Sequence, residues 1–359
     1  MAHAGGAPVV RIEAPGVPVR DAPSFIAADI APGRGGMTLQ IHARTPRFGE
    51  LALLATPPMD EACAALDADA SESGNASFSF GGALLVPFAN RVPGELVDGG
   101  RRIRTRIGDK LVELAANWGG KRPGAARYAM HGLILRRRWD SHTIDTIDAT
   151  TTLRGVLAAG DFGCGWPSST SLAFEYSIAH DALSLVVTAK NVRGERTPIG
   201  IGWHPYFALP SADRTAARLS VPARERVVVN DPDELLPTGE IVPVADSEYD
   251  FTQDGGRELG SIALDDCFTA LRRDARGVAT AAVIDARGGY GLRIEARSPA
   301  IRAFQVYAPV DEAYVVVEPQ YNLADPFGAV WDGRDTGMAW LEPGASTTYA
   351  VRLSIFVVD

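Results

Sequence analysis

The sequence predicts an all-β protein built as one large antiparallel β-sandwich, and three observations support this prediction. The chain has 359 residues, including 37 Gly and 24 Pro, a combined share of about 17% against an average near 12%. Such frequent turn residues divide the chain into many short elements. The apolar runs between them are strand-sized, rich in β-branched and aromatic residues and often alternate at period two, whereas long helical periodicity is nearly absent.

The individual elements follow from the same signals. The clearest strands are predicted over residues 183–189, 226–230, 290–296, 301–307, 314–318 and 346–354. Residues 179–182 and 285–289 are predicted to be hairpin turns, because each lies between two strand-like runs. The best helix is a short one over residues 59–68, which follows two prolines. No repeat of about 20 to 50 residues is found, which disfavours propellers and solenoids.

The N-terminus is rich in Gly, Pro and Ala, which predicts a flexible tail over residues 1–34 and a single sandwich domain over residues 35–359. The first residues lack the basic and apolar regions of a secretory signal. No apolar run approaches the roughly 18 residues of a membrane span. We therefore expect no membrane association and a cytoplasmic location. Cys63, Cys164 and Cys267 have no C-x-x-C spacing, so they are expected to be free, buried thiols.

The charge balance disfavours a nucleic-acid partner. The chain has 35 Lys and Arg against 44 Asp and Glu, a formal charge of −9, and a pI near 5.3. Binding along a phosphate backbone requires a basic surface. The arginine-rich stretches 101–106 and 136–138 are short, and we expect them to be solvated strand faces.

Of the six histidines, His131 and His204 have unusual local settings. His204 follows two glycines and Trp203 and precedes a proline, which suits a strand end at a pocket better than a regular strand. Trp203, Tyr206 and Phe207 are expected to offer apolar faces to a sugar ring beside the imidazole. From these residues alone, a satisfied core histidine remains an equal alternative.

Further polar groups lie at the ends or in the middle of apolar runs. Glu318 ends a buried strand and precedes a proline, so its pKa is expected to be raised towards the range useful for a general base, unless it pairs with an arginine. Asp265 and Asp266 are adjacent, so only one of them can face a pocket from a strand. Asn90 and Arg91 place an amide and a guanidinium between apolar flanks, where both can recognise hydroxyl groups.

The usual nucleophile and nucleotide motifs are absent from the sequence. There is no G-x-S-x-G, no Walker A motif and no G-x-G-x-x-G fingerprint. A metal site formed by His131, His204 and acidic residues is disfavoured, because no pair has the spacing of metal ligands. The sequence therefore predicts neither a metal nor a cofactor.

Taken together, these motifs resemble the aldose 1-epimerase (galactose mutarotase) family, which adopts a large β-sandwich. The resemblance runs from about residue 35 to the end and rests on five segments in family order: residues 88–92, 131–132, 202–207, 264–268 and 317–320. It implies interconversion of the α and β anomers of a free monosaccharide, without cofactor or metal. Carried over by position, Glu318 resembles the general base and His204 the general acid, and the residues that resemble substrate-binding groups are Asn90, Arg91, His131 and Asp265. Asp266 in place of Asp265 stays open, because the doubled acid blurs the register.

Three other functions remain open at the level of sequence. A non-catalytic carbohydrate-binding protein would need the aromatic residues and Arg91 but could lose Glu318 or His204. A hexose-6-phosphate mutarotase would need a basic cluster, which residues 101–106 or 136–138 would have to provide. A glycoside hydrolase would use Asp265 and Glu318 as paired carboxylates and would not require His204. The sequence indicates neither the preferred aldose nor the oligomeric state.

Overall fold

The computed structural model of the chain describes residues 2–18 and 20–358. Its strands, in chain order, are β1 (His3–Ala4), β2 (Ala7–Pro8), β3 (Val10–Glu13), β4 (Ser24–Ala31), β5 (Met37–Thr45), β6 (Gly49–Ala52), β7 (Gly82–Leu85), β8 (Arg91–Pro93), β9 (Glu95–Val97), β10 (Arg102–Ile107), β11 (Lys110–Ala115), β12 (Trp118–Gly119), β13 (Arg127–Met130), β14 (Ser141–Ile147), β15 (Thr150–Gly160), β16 (Ser168–Ala179), β17 (Ala182–Gly194), β18 (Thr197–Ile199), β19 (Gly202–Ala208), β20 (Arg218–Ser220), β21 (Ala223–Val229), β22 (Pro237–Pro243), β23 (Arg257–Glu258), β24 (Leu264–Leu271), β25 (Ala279–Asp285), β26 (Tyr290–Ala296), β27 (Ala303–Ala308), β28 (Tyr314–Gln320), β29 (Ala339–Leu341) and β30 (Ser346–Val357).

Helices are short and few in the described residues. The α-helix α1 spans Met59–Ala68, the range that the sequence predicts. The 3-10 helices are Pro32–Arg34, Asn75–Phe78, Asp98–Gly100, Arg214–Ala216 and Ala329–Trp331. Within the described chain, every helix is too short or too polar to cross a lipid bilayer.

Most strands of the described chain belong to two large antiparallel sheets. One contains nine strands in the order β14-β15-β16-β17-β30-β26-β25-β20-β23. The other has eleven strands and runs β22-β21-β24-β27-β28-β19-β7-β5-β4-β3, with β6 added beside β5. The predicted hairpins at residues 179–182 and 285–289 are confirmed, since they join β16 to β17 and β25 to β26.

The apolar faces of the two sheets contribute to one continuous core. Leu153 and Phe174 of the nine-stranded sheet belong to the same buried cluster as Ile41, Phe207 and Val317 of the eleven-stranded sheet. Alternate residues are buried along strands such as β15 and β30, as their period-two sequences predict. The all-β antiparallel sandwich predicted from the sequence is therefore confirmed.

The N-terminal residues differ from the prediction of a flexible tail over residues 1–34. In the described part of this segment, β3 pairs with β4, and β4 pairs with β5 along almost its whole length. Phe25 and Ile30 are fully buried in the core. The Gly and Pro content therefore marks turns between short strands, of which β3 and β4 continue the eleven-stranded sheet while β1 and β2 pair with each other.

Candidate active site

A cavity of about 900 Å³ opens at the eleven-stranded sheet, within the range of about 300 to 1,000 Å³ typical of small-molecule sites. The six residues predicted from the sequence all line it: Asn90, Arg91, His131, His204, Asp265 and Glu318. They come from five separate parts of the chain, so the fold brings them together.

Strand register places His204 opposite Glu318. In the pairing of β19 with β28, Gly202 lies opposite Gln320 and Tyr206 lies opposite Val316, so the intervening positions 204 and 318 face each other. The imidazole Nε2 is 3.4 Å from the Glu318 carboxylate Oε1. Because residues opposite each other in a sheet point to the same face, both side chains enter the cavity together.

The same alternation corrects one expectation about the aromatic residues. Tyr206 lines the cavity, two positions from His204. Trp203 and Phe207 do not line it and are buried in the core between the sheets. Trp203 is one residue before His204 and Phe207 is three residues after it on the same strand, so both side chains point to the face of the sheet opposite to that of His204.

Asn90 and His131 are held in an unusual backbone conformation. Both have φ values near +62°, which few residues other than Gly adopt, although Asn and His do so more often than most. The His131 amide donates to the Asn90 carbonyl at 3.0 Å, beside the pairing of β13 with β8. This contact fixes two turns that start from different strands, so both side chains reach the cavity.

Gly200 allows a second support for the same turn. The Asn322 side chain accepts a hydrogen bond from the Ala89 amide at 3.1 Å and donates one to the Ala89 carbonyl at 2.9 Å. A Cβ atom at position 200 would collide with the Asn322 amide oxygen. Gly200 therefore makes room for Asn322, which holds the turn that contains Asn90.

Arg91 is the centre of a closed hydrogen-bond network. It donates to Asn90 Oδ1 at 2.7 Å, to the Tyr128 hydroxyl at 3.3 Å and to Asp265 Oδ2 at 3.3 Å. Asn90 donates to Gln305 Oε1 at 3.0 Å, and Gln305 donates to Asp265 Oδ1 at 2.6 Å. Each group is thereby oriented before any ligand enters. Such pre-orientation lowers the entropy lost when a ligand binds.

The structure distinguishes the two adjacent aspartates. Asp265 lines the cavity, whereas Asp266 is absent from its lining and accepts a hydrogen bond from Arg226 at 2.7 Å. The two side chains point to opposite faces of β24, as adjacent strand residues must. The alternative that Asp266 faces the cavity is therefore wrong.

Burial controls the protonation of the acid and the imidazoles. Desolvation raises the pKa of Glu318 well above its usual value, with a further increase from Asp265 and an opposing effect of Arg91. Desolvation, together with a smaller effect of Arg91, lowers the pKa of His204 to about 4. The pKa of His131 is also well below normal because of burial, His204 and Arg91. Burial at the cavity therefore favours uncharged forms of all three groups.

Three buried polar atoms of the cavity lining have no hydrogen-bond partner among the described residues: Glu318 Oε2, His204 Nδ1 and His131 Nδ1. Burying a polar group without a partner is unfavourable. Their residues all line the cavity. These three atoms are therefore available to form hydrogen bonds with the hydroxyl groups of a ligand.

Aromatic rings form a continuous wall from the floor of the cavity to its mouth. His204 contacts His131 at 4.9 Å between ring centroids, His131 contacts Phe78 at 5.0 Å, and Phe78 contacts Trp118 at 5.5 Å. Tyr314 closes another side through Tyr206 at 5.0 Å. Apolar ring faces beside convergent polar groups suit a pyranose or furanose ring.

Sequence reasoning missed Gln305, Trp118 and Tyr314 at this site. Gln305 carried a usable signal, because it is a polar residue between Phe304 and Val306 in a predicted strand. Its alternation puts it on the face opposite those two core residues. Trp118 and Tyr314 had no comparable local signal.

The arginine-rich stretches lie away from the cavity. Residues 101–106 and 136–138 contribute nothing to its lining. Arg102 and Arg104 on β10 pair with Glu72 and Glu113 at 2.9 and 2.7 Å. Arg136 to Arg138 lie between β13 and β14, so the expectation that they form a strand face is wrong. Among the described residues, no cluster of three or more His, Cys, Asp or Glu side chains could hold a metal ion.

The fold is that of the galactose mutarotase-like β-sandwiches. Solved structures of the same fold include a galactose mutarotase-like protein from Clostridium acetobutylicum, at 20% identity and a TM-score of 0.74, with 98% of this chain and 95% of the other covered. An aldose epimerase homologue from C. elegans matches at 16% identity and a TM-score of 0.71, covering 98% and 99%. A galactose 1-epimerase from Lactobacillus acidophilus matches at 14% identity and a TM-score of 0.65, also covering 98% and 99%.

The family follows from the sequence itself. The model of the family described as aldose 1-epimerase matches residues 64–354. The chain belongs to the aldose 1-epimerase family. Membership of this family indicates an isomerase that acts on small sugars.

Proposed function

We propose that this protein is an aldose 1-epimerase that interconverts the α and β anomers of a free aldose by general acid and base catalysis. The observation that carries the proposal is the pair of His204 Nε2 and Glu318 Oε1, 3.4 Å apart on the floor of a sugar-sized cavity. In this proposal Glu318 is the general base and His204 the general acid. Arg91, His131, Asp265 and Asn90 bind the hydroxyl groups of the sugar.

The reaction needs only two proton transfers in each direction. Glu318 takes the proton of the C1 hydroxyl, His204 gives a proton to the ring oxygen, and the C1–O5 bond breaks to give the open-chain aldehyde. Rotation about C1–C2 then presents the other face of the carbonyl. The O5 hydroxyl attacks C1, His204 recovers its proton from O5, and Glu318 returns its proton to O1. All atoms and charges are restored, and no external reactant is consumed.

Burial makes both groups more reactive in the forms that the mechanism uses. The desolvation that raises the pKa of Glu318 makes its carboxylate a stronger base. The desolvation that lowers the pKa of His204 makes its imidazolium a stronger acid. Glu318 and His204 share one proton across the working pH range. With the proton on Glu318 both side chains are neutral, and with the proton on His204 they form a carboxylate and an imidazolium. The titration therefore belongs to the pair.

We expect a bell-shaped pH profile of kcat/KM with an unusually acidic lower limb. Below about pH 4, His204 becomes protonated while Glu318 also carries a proton, so no base remains. Activity is lost again as the pH rises above the raised pKa of Glu318, because the pair then holds no proton. Initial rates between about pH 3 and 10, with far-UV circular dichroism at each end, measure both limbs. A lower limb near the ordinary histidine value of 6.5 would contradict this assignment.

The rival functions fit the site less well. For hydrolysis, both carboxylates should be available at the scissile bond, yet Asp265 is occupied by Arg91 and Gln305. For a phosphorylated hexose, the stretches 101–106 and 136–138 lie outside the cavity. A purely binding protein has no need for a desolvated acid and imidazole 3.4 Å apart.

The test is the approach of freshly dissolved α-D-glucose, α-D-galactose and other aldoses to anomeric equilibrium, followed by polarimetry or proton NMR. We expect wild-type protein to accelerate at least one aldose above the uncatalysed rate. Release of sugar from an aryl glycoside would support hydrolysis. Binding of aldoses without any acceleration would support the binding protein, and acceleration of phosphorylated hexoses alone would support the phosphate-specific enzyme.

A further inference from the structure

The nine-stranded sheet ends in an open edge at β14. All seven residues of β14 are exposed, and its neighbour in the sheet is β15. In the described part of the chain, no other strand pairs with it. Two of its apolar side chains are prominent, with Ile144 48% and Ile147 69% exposed. Such an edge presents a row of backbone N–H and C=O groups that can pair with another strand.

The other ends of the two large sheets carry features that oppose such pairing. β23 has two residues, and β3 has four with the charged Arg11 and Glu13 on it. β22 begins and ends with proline, and its pairing with β21 shifts register. In contrast, β14 contains no proline, carries Asp145 as its one Asp, Glu, Lys or Arg residue, and pairs with β15 without a register shift. Short length, charge, proline and bulges are the usual means of protecting an edge.

We propose that β14 pairs antiparallel with β14 of a second copy of this chain and so forms a two-fold dimer with a continuous sheet. The register is centred on Ile144, which faces Ile144 of the second copy. Thr143 then faces Asp145, His142 faces Thr146, and Ser141 faces Ile147. The dimer surface is distinct from the cavity, and the inference is independent of the proposed function.

Three properties of the strand select this partner and register. Centring on Ile144 pairs all seven residues, whereas a shift by two positions leaves four of the fourteen unpaired. This register also keeps Asp145 away from Asp145 of the second copy. Centring on Asp145 would place the two carboxylates opposite each other, which is unfavourable. Centring on Ile144 also aligns the faces of the two sheets, since His142, Ile144 and Thr146 share the face of buried Leu153 in both copies.

The expected dimer is weak. A seven-residue edge contact buries less than the roughly 1,600 Å² of a standard stable interface. We therefore expect a dissociation constant in the micromolar range. Sedimentation velocity of the full-length protein from about 1 to about 200 μM measures it, and should show a concentration-dependent shift from monomer to dimer.

Charge at the central position tests the register. Ile144→Lys and Ile144→Glu should each raise the dissociation constant at least about tenfold, because like charges then face each other across the two-fold axis. An equimolar mixture of the two variants should recover the dimer. The matched control is Val192→Lys, on β17, where the replaced side chain has the same 48% exposure as Ile144. It should leave the dissociation constant unchanged.

A covalent test covers the case in which these charged variants fold poorly. Cα atoms directly opposite in an antiparallel pair lie about 4.5 to 5.5 Å apart, which suits a disulfide. Ile144→Cys should form a disulfide-linked dimer under mild oxidation, and Val192→Cys should not. A wild-type protein that stays monomeric across the range, dimerisation unaffected by Ile144→Lys, or failure of the mixture to recover the dimer would overturn the proposal.

Discussion

Replacing Glu318 by Gln is expected to lower kcat for anomer interconversion by about 10² to 10⁴-fold, the usual contribution of a positioned general base. The amide has the shape of the carboxyl group and fits the same buried site, but it cannot accept the proton of the C1 hydroxyl. Because the proposed sugar-binding groups belong mainly to other residues, KM should change much less than kcat. Proton NMR of a freshly dissolved α-anomer measures both constants.

A control variant separates this effect from a general loss of structure. Glu295→Gln changes a mostly buried carboxylate of the nine-stranded sheet, which pairs with Arg297 and Arg352 away from the cavity. It should retain wild-type kcat. If Glu318→Gln keeps near wild-type activity while it folds normally, Glu318 is not the base.

His204→Asn is expected to lower kcat by a similar factor of about 10² to 10⁴. Asparagine keeps a hydrogen-bond donor near the ring oxygen, but its amide cannot deliver a proton as the C1–O5 bond opens. The acidic limb of the pH profile should also move from about pH 4 to higher pH, because the residual activity then requires deprotonated Glu318, whose pKa is raised. The measurement is kcat across the pH range, compared with wild type.

The matched control here is His180→Asn, in the turn between β16 and β17, outside the cavity. It should keep both the rate and the acidic limb. An unchanged acidic limb in His204→Asn, even with reduced activity, would mean that another group controls the lower part of the profile and that His204 only binds substrate.

Much of the fold could be predicted from local patterns. The helix over residues 59–68 and the strand over residues 290–296 have the predicted bounds, because prolines and glycines mark their ends and the residue periodicity marks their type. The prediction of a flexible tail over residues 1–34 is wrong because it also relied on local signals alone. Its glycines and prolines signal turns, and a local signal does not distinguish a turn between paired strands from a free tail.

The candidate site was partly visible in the sequence. Glu318 and His204 stand out because each is a polar residue beside proline in an apolar run. The alternation of side chains also implied that one of Asp265 and Asp266 faces a pocket. Which of them does so required the position of β24 relative to the core. The misplacement of Trp203 and Phe207 has a different origin, since alternation along β19 separates them from His204, whereas the expectation treated this segment as an irregular strand end.

By itself, the sequence determined the β-sandwich, its main strands and the chemical character of the site, because these properties depend on residue type and on neighbours in the chain. Only the tertiary structure decided that His204 lies 3.4 Å from Glu318, that Gln305 joins Asn90 to Asp265, and that β14 is left open. Strand pairing joins residues far apart in the chain. Its register is set by the burial of whole faces, and no single segment contains that information.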